Sequence, residues 1–310
     1  MTVTIVINLF GNVSIKKVIE NLRNIGTFAE PINILISWSD PPSNATHIVH
    51  SLRKHLNGRF NFNLIYLPLQ RMGSGKQRDL TLKYVLKKIG GTEVVVFMEE
   101  DVVVKEVGWA SKLLEIFKKL PSRVAILSLD AGSRLCIDFV ATSISTSRRL
   151  YISLAGGSGI FAVRSEALRE LLGLGLDTYS PFMHFHWEDI EFVLKLWLLG
   201  YVTVSYRGIN YIHLSSTSKT KPLHRRYTEY LGPMIAMIVN VPLKLLLFIA
   251  PLRILRDLIK SILKNEVLLL IRASLFIVKN LKYIMTIRIR RLKIWRDGKH
   301  FASVLSSCLK

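Results

Sequence analysis

Two cysteines in 310 residues, Cys136 and Cys308, make no disulfide framework and show no metal-ligand spacing. That usage points to a reducing compartment. Acidic residues are also scarce: 22 Asp and Glu stand against 43 Lys and Arg, for a net charge of +21. The first ten residues carry no charged leader and run directly into a strand-like pattern, so a secretory signal is not expected. The loop Gly73-Ser74-Gly75-Lys76 lacks the spacing of a P-loop. Internal repeats are absent. Residues 234–250 (MIAMIVNVPLKLLLFIA) approach the ~20 residues of a bilayer span. Pro242 and Lys244 interrupt them, which leaves spanning the bilayer and lying on it both open.

The mean hydropathy is +0.31, unusual for so basic a chain, so the charge must lie beside apolar segments. Residues 215–310 hold 19 Lys and Arg against 4 Asp and Glu, which is +15 of the total. A chain of this length suits one large domain plus an appendage. The composition therefore predicts a soluble-type domain over 1–230 and a basic, apolar helical region over 231–310.

Along the first part, short β-branched runs alternate with helical periodicity. Strands are expected at 2–8, 32–37, 62–67 and 93–98, with helices at 15–22, 45–56 and 77–89 between them. Further strands are expected at 124–129, 151–154 and 202–206, and helices at 165–172 and 190–199. Such alternation predicts an α/β fold with a mostly parallel sheet covered on both faces. In the last part, Leu252, Leu255, Leu258, Ile259, Ile262 and Leu263 recur at helical spacing, with Arg253, Arg256, Lys260 and Lys264 on another face. That pattern, with the basic tail 288–296 (RIRRLKIWR), suits an anionic membrane surface.

Two acidic clusters stand where chemistry is expected. Glu99-Glu100-Asp101 ends the apolar run 94–98, at the strand edge where open α/β sheets bind ligands. Carboxylates one residue apart on an extended chain point the same way, and their oxygens suit Mg²⁺ or Mn²⁺. Three adjacent acids repel one another, so a bound cation would relieve a cost. The competing reading is an acidic turn that closes a strand. Trp187-Glu188-Asp189 opens a helix, and Asp189 is the candidate general base, set against a simple favourable charge at the helix dipole. The neighbouring His184-Phe185-His186 makes that loop dense in aromatic and polar groups. His213 follows a strand-like stretch, and Lys76 and Arg78 can approach a nucleotide from the 73–76 loop.

Together these segments resemble family 2 glycosyltransferases of the GT-A fold over about residues 1–230. The opening TIVINLFGNVSIKKVIENLRNI and the strand ending at Asp40 resemble that family's nucleotide-binding start, and FMEEDVVV its metal motif. GGSGIFAVRSEAL is similar to its acceptor-side glycine segment, and HWEDIEFVLKLWLLGYVTVSY to the helix carrying its base. The resemblance implies nucleobase contact by Asp40 and ribose contact by Glu100; the nucleotide contact expected of Arg78 comes from the loop reading above. It implies Glu99, Asp101 and His213 as ligands of Mn²⁺ or Mg²⁺, and Asp189 as the base. Gly157, Ser158, Trp187 and Glu188 would line the sugar and acceptor side. Two positions depart from the family pattern: Glu99 replaces an Asp, and SWSDPPSN lacks the usual acidic-Gly-Ser turn.

The expected reaction moves a sugar, with inversion, from a nucleoside-diphosphate sugar to a sugar or lipid-linked acceptor. The expected place is the cytoplasmic face of the cell membrane. The alternatives are a metal-dependent nucleotidyl or phosphoryl transferase with the same acids, or a basic nucleic-acid-binding protein. A nucleic-acid partner is not expected, because the basic residues interleave with aliphatic runs and not with polar loops.

Overall fold

The computed structural model describes residues 2–13, 15–58, 61–129, 144–145, 150–152, 159–180, 187–213, 223–241 and 243–294. The chain opens with β1 (Val3–Phe10), α1 (Ile15–Arg23), β2 (Ile32–Ser39), α2 (Ala45–Leu56) and β3 (Phe62–Leu69). α3 (Ser74–Tyr84) continues into one π-helical turn, Val85–Ile89, before β4 (Val94–Glu99) and β5 (Val102–Val104). Then follow α4 (Trp109–Lys119), β6 (Val124–Leu129), β7 (Ile144–Ser145), β8 (Leu150–Ile152), β9 (Ile160–Arg164) and α5 (Ser165–Gly173). α6 (Glu188–Leu198), β10 (Val202–Tyr206) and β11 (Tyr211–His213) complete the α/β part.

Nine of these strands form one sheet in the order β3-β2-β1-β4-β9-β6-β10-β8-β7. The pairings run seven strands in one direction, with only β8 and β9 reversed. This mostly parallel α/β architecture is the one expected from the alternating pattern. β1 and β4 are buried on both faces, which explains their continuous apolar runs. Helices cover the sheet with side chains such as Leu22, Leu52, Leu82, Trp109, Phe117 and Leu168, all buried in the same core.

Registers align the strand ends that matter. Asn8 of β1 lies opposite Ser37 of β2 and Glu99 of β4, so the carboxyl ends of three strands finish together. Gln77 of α3 fixes the helix over that edge, donating from Nε2 to the carbonyls of Leu9 and Ser37 at 3.3 and 2.7 Å. α3 begins at Ser74 and not at Gln77, so the Ser74-Gly75 pair belongs to its buried first turn.

Beyond His213 the chain continues in α7 (Leu223–Asn240), α8 (Leu243–Leu263), α9 (Val267–Lys279) and α10 (Leu281–Ile294). Of these, α7, α9 and α10 build a second core around Tyr230, Ile235, Val239, Leu270, Ala273 and Ile284. The apolar stretch 234–250 is not one helix, because α7 ends at Asn240 and α8 begins at Leu243. Arg288 of α10 caps the end of α7, donating to the carbonyls of Ile238 and Val241. Arg288 and Arg291, expected within a headgroup-facing tail, are 4% and 3% exposed and turn inward. Arg253 of α8, expected on a basic outer face, is 3% exposed and pairs with Asp257 at 2.8 Å. For Arg288 and Arg291 the partners are buried oxygens about 50 or more positions away, which sequence spacing cannot reveal, whereas Arg253 pairs four residues along its own helix.

Candidate active site

The site forms where the carboxyl end of β4 meets the first turn of α6. Arg78 of α3 joins them: one guanidinium nitrogen donates to Glu99 Oε1 and the other to Asp189 Oδ1. Its side chain is 4% exposed, against 26% for Glu99 and 24% for Asp189. Arg78 also lies over the Tyr179 ring, 5.7 Å from its centroid, and this tyrosine is fully enclosed. The planar fork of an arginine suits such a two-carboxylate bridge. Burial works against the Arg78 charge, but Asp189 and Glu99 outweigh it and hold the guanidinium firmly protonated. Burial also raises the Asp189 carboxyl above the usual aspartate range, with Glu188 and Glu99 adding to the rise and Arg78 opposing it.

Glu100 and Asp101 form the turn between β4 and β5, so strand alternation does not extend to them. Glu100 reaches back to the end of β1, where its Oε2 accepts from the Phe10 amide at 2.8 Å. Burial lifts its carboxyl to about 7; the Phe10 amide opposes this, and neighbouring Asp101 and Glu99 reinforce it. Asp40 follows β2 on the same edge, exposed and in the left-handed region at φ +56°.

Trp187 starts α6 at φ +68° and packs against the second core. Glu188 accepts a 2.6 Å hydrogen bond from the Ser74 hydroxyl, which ties the first turn of α6 to the first turn of α3. The pairing of β11 with β5 sets His213 opposite Val102, one residue past Asp101. Gly157, Ser158, His184 and His186 lie outside the described residues.

Ser74, Tyr179 and the Arg78 bridge were not evident from sequence, since the partners of Arg78 are 21 and 111 positions away. The serine next to a glycine-rich helix start was the one available cue.

Gly159 supports the same edge. Its carbonyl accepts from the Glu99 amide at 3.0 Å, it sits at φ +82°, and an added Cβ would stand 2.9 Å from the Tyr211 ring. Gly159→Ala should therefore displace β11 and cost about 1–3 kcal/mol in a denaturant titration, through backbone strain and overpacking. An unchanged midpoint would show that Tyr211 moves aside freely.

Among the described residues, no three His, Cys, Asp or Glu side chains converge as a preformed ion cage. The donor set still suits a hard divalent cation. It consists of carboxylate oxygens at a strand edge, with Glu100 pushed toward neutrality by burial and by its acidic neighbours.

In sequence the chain matches no family model and no curated protein. Solved structures do match in shape. The mannosyltransferase PcManGT from Pyrobaculum calidifontis, in complex with GDP-Man and Mn²⁺, aligns with a TM-score of 0.53 at 12% identity, covering 95% of this chain and 87% of that one. GalNAc-T7 with UDP, GalNAc and Mn²⁺ aligns at 0.51 and 16% identity, covering 77% of this chain. TarS of S. aureus aligns at 0.50 and 17% identity, covering 78% of this chain. This chain spans 48% of the GalNAc-T7 chain and 40% of the TarS chain. Together with the sheet order, the likeness shows the GT-A glycosyltransferase fold.

Proposed function

We propose that this protein is a metal-assisted, inverting glycosyltransferase of the family 2 type, moving a sugar from a nucleoside-diphosphate sugar to an acceptor hydroxyl or phosphate. The observation that carries the proposal is the Arg78 bridge. It brings Glu99 at the end of β4 and Asp189 at the start of α6 to one point on a GT-A sheet edge. The resemblance places the donor-side and acceptor-side acids at these two positions.

Asp189 takes the proton from the attacking acceptor oxygen as that oxygen bonds to the anomeric carbon. Attack from the face opposite the leaving diphosphate gives inversion. A partly buried carboxyl whose affinity for protons is raised is a better base than an exposed aspartate. Arg78 holds this carboxylate in place. Asp40 and Glu100 are assigned to the nucleoside, Trp187 and Glu188 with Gly157 and Ser158 to the sugar and acceptor. Glu99, Asp101 and His213 would hold Mn²⁺ or Mg²⁺, which supplies neutralisation of the charge on the leaving diphosphate when bound.

The metal assignment is tested on Asp101, which lies in a turn and not in the core. Asp101→Ala should abolish the thermal stabilisation that Mn²⁺ and nucleotide sugar give together, while leaving the ligand-free melting temperature near wild type. Unchanged donor affinity would remove Asp101 from the metal site. A nucleotidyl transferase using the same acids would release pyrophosphate where this reaction releases nucleoside diphosphate, so product analysis separates the two.

A further inference from the structure

One of the carboxyl-terminal helices, α8, carries its polarity inside out. On α8, Arg253, Asp257 and Ser261 recur every four residues and are 3%, 1% and 0% exposed. On the opposite side Leu252, Leu255, Leu258, Ile259 and Ile262 are 41–66% exposed. A helix in a water-soluble bundle does the reverse, burying its leucines and exposing its charges. Here the polar stripe finds partners within the protein: Arg253 pairs with Asp257 at 2.8 Å and lies over the Trp187 ring. The adjoining α9 adds to the outward surface, with Leu268, Leu275 and Val278 each more than 60% exposed. An apolar surface built from two neighbouring helices marks a contact with another apolar phase.

We infer that the outward faces of α8 and α9 seat in the headgroup–acyl boundary of an anionic lipid bilayer. One observation selects lipid over a second protein surface. Exposed cations border the apolar faces, among them Lys244, Arg256, Lys264 and Lys279, an arrangement that complements anionic headgroups around an inserted apolar strip. No helix among the described residues is long and apolar enough to cross a membrane. The seat is wired to the candidate active site. Trp187 directly precedes Glu188 and Asp189, and it rests against Arg253 of the embedded helix and against the second core. Binding would therefore hold the start of α6 close to the lipid surface, where an amphiphilic acceptor is drawn from the bilayer.

The inference is independent of the proposed chemistry, because vesicle binding is read without donor or metal. The full chain, purified in detergent, is diluted into phosphatidylcholine vesicles with or without phosphatidylglycerol and floated on a density gradient. It should float with the anionic vesicles, at least tenfold more weakly with the neutral ones, and be released only in part by high salt. The double variant Leu255→Glu, Ile259→Glu alters two exposed positions. It should bind anionic vesicles at least tenfold more weakly at an unchanged melting temperature. Flotation of the variant equal to wild type would overturn the proposal. So would a full chain that stays monodisperse in buffer and ignores vesicles, or a dimer in light scattering that the same variant dissociates without any vesicle binding.

Discussion

Asp189→Asn should leave nucleotide-sugar binding intact and lower turnover by ~10²–10⁴, the range for loss of a positioned general base. Asparagine is nearly isosteric and can still accept a hydrogen bond from Arg78, but it cannot take the acceptor proton. In the wild type the carboxyl is pulled both ways, raised by burial and by Glu188 and Glu99, and lowered by Arg78. The variant removes one of the two counter-charges of a buried guanidinium, so turnover is compared at a temperature where both proteins are folded. Turnover near wild type would reduce Asp189 to a carboxylate that balances Arg78 and the helix dipole.

The second large effect concerns stability. Glu191 and Lys195 of α6 pair at 2.8 Å with both side chains 0% exposed, and Arg291 of α10 joins them at 2.6 Å with its side chain 4% exposed. Ser180 donates a further 2.8 Å hydrogen bond to Glu191. Burial opposes the Glu191 charge, but Lys195 and Arg291 overcome it and hold the carboxyl at about 2. Burial takes Lys195 down to about 8, with Glu191 partly restoring it.

The two shifts act oppositely on stability. Relative to an unfolded carboxyl near 4.5, the depressed Glu191 contributes about 3 kcal/mol above that pH, lost as pH falls from 4.5 through 2. The depressed Lys195 costs about as much below pH 8, because the unfolded chain holds its proton more tightly; the cost disappears as pH rises from 8 to 10.5. At neutral pH the two shifts oppose each other. Removing only the acid is different, since Glu191→Gln leaves two buried cations uncompensated. Urea unfolding at pH 7 should show a loss of about 3–5 kcal/mol, and the gap to wild type should narrow below pH 4.5. A loss under 1 kcal/mol, or a gap that is constant with pH, would mean that the cations find other partners. The same ions fasten α10 to α6, so the variant should also loosen the junction between the carboxyl-terminal helices and the α/β part.

Much of the fold was legible because buried parallel strands need apolar side chains on both faces. The run 124–129 and the helix 45–56 fall where β6 and α2 do. α4 was overlooked although Trp109, Leu113, Leu114 and Phe117 carry a helical period that a count of spacings would have found. β5 gave no usable signal: it has three residues, and its partner β11 lies more than a hundred positions away. The acidic clusters were visible as strand-end and helix-start carboxylates, but the cation that unites them was not.

The sequence by itself determined most of the strands and helices of the α/β part, where the acids stand along the chain, and that α8 has one apolar and one polar side. These are local properties, set by side-chain period and by the residues that end each element. Only the tertiary structure decided which side of α8 faces inward, because periodicity divides a helix into two faces without saying which is solvated. The choice follows from Trp187, over whose ring Arg253 lies, and leaves the leucines outside. Arg78 follows the same logic: its place between Glu99 and Asp189 depends on contacts 21 and 111 residues apart, which exist only once the sheet edge and α6 have met.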